Sequence, residues 1–344
     1  MVVCALQPPD DLAAALQAQG AQVVCCNRRR PSILQGVPFA TYVIKNLHDI
    51  VRLCKRERAS VVHCHLSDAE FLGIAAGRYA RVPRVVTSVH YPDLLPPRAR
   101  GSIRNALRRI LTQFLYRNAD TIIAVSEEVA SRVRELAPGS SAKLRVIING
   151  IDTAHYADLG APAFGEHVVL TTVARLAPPK GHCFLLEAIR LLHLHGRHLK
   201  LLLAGEGDLR AELETQVNAS GIGDLVVFLG NCSDIPALLG TTDIFVLPSL
   251  WEGTSLALLE AMAAGRPIVA SDIPGIRTVL QHGSTGLLAR PGDAPALAQA
   301  ISVFLDNPSF ARACGAQAKK TAQERFDISR TLAELYDVWG VQEM

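Results

Sequence analysis

An α/β architecture of two doubly wound parallel-sheet domains is what this 344-residue chain predicts. Three observations carry the prediction. Short β-branched runs alternate with helical patterns along the whole length, as βαβ units and parallel sheets require. The pattern breaks once, in a looser tract at residues 154–166 that holds Gly160, Pro162 and Gly165, and then restarts. The length suits two domains of roughly 100–200 residues each.

In the first half, residues 21–26, 60–64, 84–89 and 121–125 read as buried strands, and residues 143–148 close the set. Helical patterns fill the gaps at 11–19, 42–57, 68–80, 102–117 and 127–136, and Ser126 reads as the N-cap of the last. Asn149-Gly150-Ile151-Asp152 is a turn. Residues 1–6 read as a strand with no Gly-rich loop before it. A doubly wound domain ordinarily has a strand and helix ahead of such a segment, so one strand–loop–helix unit of about 30 residues is expected to be missing. In the second half, strands are expected at 167–173, 199–204, 226–229, 244–247 and 268–270, with helices between them such as 181–195 and 208–219. Three terminal helices follow near 294–306, 309–324 and 328–339. The expected organisation is one domain over residues 1–153, a second over 154–327, and a last helical segment, 328–344, crossing back to the first. Two doubly wound halves place a cleft between the carboxyl ends of their sheets.

Composition narrows the class. With 49% apolar and 5% aromatic residues the chain is an ordinary globular one. No segment reaches the ~18 uninterrupted apolar residues of a membrane-crossing helix, and no basic-then-apolar leader is expected. Eight cysteines without a CxxC fit reduced thiols in a cytoplasmic protein. The net charge of +3 hides an asymmetry: residues 1–150 hold 21 Lys/Arg against 11 Asp/Glu, and residues 151–344 hold 14 against 21. A basic first half suits an anionic acceptor or a membrane surface. No nucleic-acid motif is present, so nucleic acid is not an expected partner. Arg98, Arg100, Arg104, Arg108, Arg109 and Arg117 make segment 98–117 the candidate for peripheral contact with anionic headgroups or a phosphorylated acceptor, with a solvated helix face as the equal alternative.

The most informative stretch is Trp251-Glu252-Gly253-Thr254-Ser255-Leu256-Ala257-Leu258-Leu259-Glu260-Ala261-Met262. Glu252 falls at a strand-to-helix turn and Glu260 inside the helix that follows. Between them the backbone N–H groups of residues 253–256 read as the orphan donors of a helix start, an anion site. Carboxylate, phosphate cradle and second carboxylate match the sugar hydroxyls, diphosphate and ribose of a nucleotide-sugar. Arg175 and Lys180, five positions apart after the first strand of the second half, add two cations that converge on a diphosphate: Arg forks across two oxygens and Lys acts as a point charge. Gly205-Glu206-Gly207-Asp208 ends the next strand, where glycines permit close backbone approach to a ligand. His90 ends a strand of the first half and is placed to hydrogen-bond a sugar hydroxyl or to stabilise charge on the diphosphate. His63-Cys64-His65 has the residue types of a metal site, but strand alternation turns Cys64 away from its neighbours, and no metal is expected there.

Taken in order, these residues resemble the retaining glycosyltransferases of family 4, which have the two-domain GT-B fold. The resemblance is carried by Asn149-Gly150-Ile151-Asp152, Arg175-Leu176 with Lys180-Gly181, Gly205-Glu206-Gly207, Leu247-Pro248-Ser249 with Glu252-Gly253, Glu260-Ala261-Met262, Gly265-Arg266-Pro267 and Thr285-Gly286-Leu287-Leu288. It spans nearly the whole chain and is most specific over residues 145–290. It implies transfer of a sugar from a nucleotide donor, UDP being commonest among relatives, to a glycan, lipid-linked or small-molecule acceptor, with retention and without a cofactor or metal. On this analogy Arg175 and Lys180 hold the diphosphate, Glu252 binds hydroxyls of the donor sugar and Glu260 binds the ribose. The backbone at Gly253, Thr254, Ser255 and Leu256 completes the phosphate site, and His90 orients the reacting sugar. Two departures stand out. The family's amino-terminal strand and Gly-Gly loop have no counterpart here, which leaves a nucleotide-sugar-binding protein without turnover as the alternative. Thr278 replaces a Glu that relatives often carry after Pro-Gly-Ile-Arg. A weaker reading, a UDP-sugar epimerase, has only His63, His65 and Asp93 as further acid–base candidates.

Overall fold

Apolar runs become parallel strands here because both faces of the two larger sheets are covered, and the elements follow the alternation of the sequence. The computed structural model describes residues 1–7, 11–32, 35–90 and 103–341, with the backbone alone at residues 11, 12, 67 and 103–108. The chain divides into two units: Met1–Val146 with Tyr336–Met344, and Ile147–Leu335.

The first unit runs β1 (Val2–Ala5), α1 (Asp11–Ala18), β2 (Gln22–Cys25), α2 (Val37–Arg56), β3 (Val61–His65), α3 (Ser67–Tyr79), β4 (Arg84–Val89), α4 (Ile103–Asn118), β5 (Thr121–Ala124), α5 (Glu127–Leu136) and β6 (Leu144–Val146). Its main sheet is parallel in the order β3-β4-β5-β6, while β1 and β2 pair separately as a parallel two-stranded sheet. The separation follows burial. No residue of β1 or β2 is fully buried, whereas Val85, Val86, Val89, Ile122, Ile123 and Ala124 of β4 and β5 are almost completely so. Ser126 caps α5 as its position predicts, its Oγ accepting from the Val129 N–H at 3.2 Å.

The second unit runs β7 (Val168–Val173), α6 (His182–Leu194), β8 (Leu199–Ala204), α7 (Arg210–Ala219), β9 (Val226–Gly230), α8 (Ile235–Gly240), β10 (Ile244–Leu247), α9 (Leu256–Ala263), β11 (Ile268–Ser271), α10 (Pro274–Arg277), β12 (Leu287–Ala289), α11 (Ala294–Asp306), α12 (Pro308–Arg325) and α13 (Ile328–Trp339), whose last residues belong to the first unit. All six strands are parallel, in the order β12-β11-β10-β7-β8-β9. Alternation explains the two cores. Ile244, Val246 and Val269 pack on one face with Leu185, Leu186, Ile189 and Phe304; Phe245, Leu247, Ile268 and Ala270 pack on the other with Leu258, Met262 and Phe326. Strand order reverses between β7 and β10, and ligands of doubly wound sheets bind at the carboxyl ends beside that point.

The tract 154–166 reads as a linker but is tied down along its length, and the division between the units falls at Val146–Ile147 instead. Lys319 Nζ donates to the Ala157 carbonyl at 2.6 Å, Arg312 to that of Pro162 at 3.1 Å, and the Asp243 carboxylate accepts the Phe164 and Val169 N–H groups at 2.8 and 2.9 Å. Arg266 does most. It is 1% exposed, and its guanidinium donates to the carbonyls of Ala264 at 2.9 Å, Thr242 at 3.1 Å and Gly160. Within the motif Gly265-Arg266-Pro267, this arginine is therefore a structural staple rather than a ligand-binding cation.

Candidate active site

Two loops frame the point where strand order reverses. After β7 the chain passes Arg175 and turns through Pro178–Lys180; after β10 it passes Pro248, Ser249 and Glu252 before α9. The loops are locked together. Gly181 has φ +67°, and a Cβ there would lie 2.1 Å from the Pro248 carbonyl oxygen, so only glycine lets the strands' exits approach so closely. The Leu250 N–H donates to the Pro179 carbonyl at 2.8 Å. Lys180 Nζ reaches Glu252 Oε1 at 2.6 Å, and Ser249 Oγ donates to the same oxygen at 2.8 Å. Glu252 is 6% exposed, so these donors meet its carboxylate inside the protein. Two residues expected to act separately, Lys180 on phosphate and Glu252 on sugar, thus form one ion pair. Ser249 completes it, a residue that the sequence reading named in the Leu247-Pro248-Ser249 motif but gave no role.

Arg175 is exposed and lines a cavity of about 540 Å³ at the carboxyl ends of β7, β8 and β9. Its other walls are Val173, Ala174, Ala204, Gly205, Glu206, Asn231, Cys232 and Ile235, and its size falls within the usual range of ligand pockets. Asn231, Cys232 and Ile235 were not legible as site residues, because they lie on an ordinary polar turn after β9 and at the start of the short helix α8 that follows it. Gly205 and Gly207 are required by the protein's own backbone. Their φ values are +135° and +159°, and added Cβ atoms would sit 2.1 Å from the Ala174 carbonyl oxygen and 2.3 Å from that of Leu176. What approaches the Cβ side of these glycines is the Arg175 loop, and Gly205 is at the same time a wall of the cavity. Glu206 pairs with Arg210 at 2.9 Å, and Arg210 also lies over the Phe228 ring.

The helix start is a correction. Ser255 is the N-cap of α9, its Oγ accepting from the Leu258 N–H at 3.4 Å, so the orphan donors begin at Leu256 rather than at Gly253. Gly253 is buried, and Thr254 and Ser255 are half-buried beside Glu252. Glu260 lies in α9, and Tyr156, from the short turn Thr153–Tyr156 in the tract read as linker, hydrogen-bonds its carboxylate. Burial raises the Glu260 pKa and that hydrogen bond lowers it, with burial dominant.

In the first unit, His90 follows β4, and its Nε2 lies 3.1 Å from Nδ1 of His65 at the end of β3. Cys64 is buried in the core, while His63 and His65 share the other face with ring centroids 4.2 Å apart, as strand alternation requires. Asp93, Arg98 and Arg100 lie outside the described residues, and Arg104 and Arg108 lie where only the backbone is described. Farther along α4, Arg109 and Arg117 are exposed, together with Ile110 at 62%, Leu111 at 41% and Phe114 at 62%. Among the described residues no helix is long and apolar enough to cross a membrane.

Residues 10–155 match the family described as Glycosyltransferase Family 4, and residues 167–307 match Glycosyl transferases group 1. The UDP-Gal:alpha-D-GlcNAc-diphosphoundecaprenol alpha-1,3-galactosyltransferase of Escherichia coli is 30% identical over 277 residues, 77% of this chain and 71% of that protein. The chain belongs to glycosyltransferase family 4. A second relative, the alpha-D-kanosaminyltransferase of Streptomyces kanamyceticus, is 28% identical over 306 residues, 83% of this chain and 78% of its own. Among solved structures, Anabaena Alr3699/HepE in complex with UDP-glucose superposes with a TM-score of 0.83 at 22% identity, covering 98% of this chain and 91% of that one. The family 4 chain is therefore a glycosyltransferase with the GT-B fold that its motifs predicted.

Proposed function

We propose that this glycosyltransferase moves a hexose from a UDP-sugar to a glycan or lipid-linked acceptor, with retention of anomeric configuration and without a metal. One observation carries the reading: the Lys180–Glu252 ion pair joins the loops after β7 and β10 where strand order reverses, and Arg175, on the same loop as Lys180, lines a cavity large enough for a nucleotide. Arg175 and Lys180 supply the positive charge that stabilises a departing diphosphate, the role a divalent cation plays elsewhere. Glu252 is anchored through Oε1, and its other oxygen accepts a hydroxyl of the donor sugar. Glu260 accepts the ribose hydroxyls, and His90 orients the reacting sugar. UDP as donor is supported by the name of the Escherichia coli relative and by the UDP-glucose bound to the Anabaena protein.

Incubating the purified chain with UDP-sugars and candidate acceptors tests the reading. UDP release with an α-configured product from an α-donor is the expected outcome; donor binding without release marks a binding protein instead. Glu260→Ala is expected to weaken UDP-sugar binding by about ten- to a hundredfold in a calorimetric titration, the loss of hydrogen bonds to a charged group. Unchanged affinity would remove Glu260 from the site.

The acceptor side is read from α4. Ile110, Leu111 and Phe114 present apolar surface between Arg109 and Arg117, a pairing that suits the face of an anionic bilayer. The enzyme then works at the cytoplasmic face of the membrane, a setting that its eight free cysteines fit. Ile110→Ser with Phe114→Ser is expected to abolish co-flotation with anionic vesicles while leaving UDP affinity intact. Equal flotation of both proteins contradicts the assignment.

A further inference from the structure

Three imidazoles gather at the carboxyl ends of β3 and β4 in the first unit. The parallel register sets His63 opposite Val86 and His65 opposite Ser88, so His90, two residues beyond Ser88, comes level with the end of β3. His63 is held from both sides. The Trp339 indole N–H donates to its Nδ1 at 3.2 Å, so the neutral ring carries its proton on Nε2, which donates to Ser88 Oγ at 2.8 Å. Burial pushes its pKa down to about 3, which keeps it neutral. The His63 ring packs against His65, with centroids 4.2 Å apart, and His65 in turn meets His90 through the 3.1 Å Nδ1–Nε2 contact.

That contact couples the two rings. Two neutral imidazoles this close share one proton between the facing nitrogens: two protons would clash, and two lone pairs would repel. Whichever ring donates, the position of the proton on His90 is set by its partner. We propose that His65 is a positioning residue for His90, holding its ring in one orientation and one tautomer and leaving Nδ1 as the nitrogen that meets the substrate. His63, braced by Trp339 and Ser88, is the wall against which His65 is held. The inference rests on the reading of His90 as a residue that touches the reacting sugar.

The full-length chain, labelled with ¹⁵N-histidine, tests the pairing by imidazole NMR together with steady-state kinetics on a UDP-sugar substrate. In the wild type His90 is expected to show the nitrogen shifts of a single neutral tautomer; in His65→Leu they become those of an exchanging mixture. The same variant should lose about ten- to a hundredfold in kcat while the donor KM stays within about threefold. Asn places an amide near the position of Nδ1, so His65→Asn should recover most of kcat, whereas His65→Gln, which reaches toward the Nε2 position, should not. Identical His90 shifts in the wild type and His65→Leu overturn the proposal, as does a His65→Asn variant no better than His65→Leu. A wild-type chain that turns over no UDP-sugar overturns the transferase reading alone, and the NMR comparison still decides the pairing.

Discussion

Lys180→Ala is expected to reduce turnover by about a thousandfold, the scale set by removing one charge-stabilising group from a transition state. Two losses combine. The departing diphosphate loses a point charge at the helix start after β7. Glu252, 6% exposed, keeps the Ser249 hydroxyl but loses the cation opposite its negative charge. Removing one member of a buried ion pair costs about 3–5 kcal/mol, so the variant should also melt earlier. A double variant separates the effects. Lys180→Met with Glu252→Gln removes both charges together, so it should regain much of the stability while turnover stays low. Recovery of turnover in the double variant would make the pair merely structural. UDP release and calorimetric melting of the single and double variants give the two readouts.

Arg266→Leu is expected to destabilise the second unit by about 3–5 kcal/mol, because three interior carbonyls lose their donor at once. Burial already holds the Arg266 pKa below its ordinary value, so the guanidinium persists through its hydrogen bonds rather than through solvent. Arg266→Lys should recover little, since an ammonium cannot span the carbonyls of Ala264, Thr242 and Gly160 in one plane. Urea unfolding gives the measure: a midpoint unchanged in Arg266→Leu contradicts the staple. The tract around Gly160 should become protease-sensitive in the same variant.

The fold was legible because its strands are buried on both faces. The run Ile244–Leu247 is apolar throughout, Arg84–Val89 and Leu199–Ala204 are apolar apart from Arg84, Thr87, Ser88 and Lys200, and all three end where the sequence reading ended them. β12 went unread because three residues, Leu287–Ala289, carry too little period to distinguish a strand from a loop. The site was legible only where its chemistry is local. Arg175 and Lys180 stand five positions apart, and Glu252 and Glu260 eight. The Lys180–Glu252 pair spans 72 positions and depends on β7 and β10 being neighbours. Tyr156 was hidden for the opposite reason: it sits in a tract whose Gly and Pro content reads as linker, although the tract is anchored to the second unit. The His65–His90 contact follows from parallel register, which no spacing within either strand reveals.

Donor binding by the second unit is what every assigned role depends on. Melting the wild-type chain with UDP, UDP-sugars, ADP-sugars and GDP-sugars tests it most directly, because a ligand at a hundred times its Kd stabilises the native state by about 2.7 kcal/mol. UDP and at least one UDP-sugar should raise Tm by several degrees, and an Arg175→Ala, Lys180→Ala double variant should lose the shift. A wild type that no nucleotide stabilises, or a double variant stabilised just as much, contradicts the donor site.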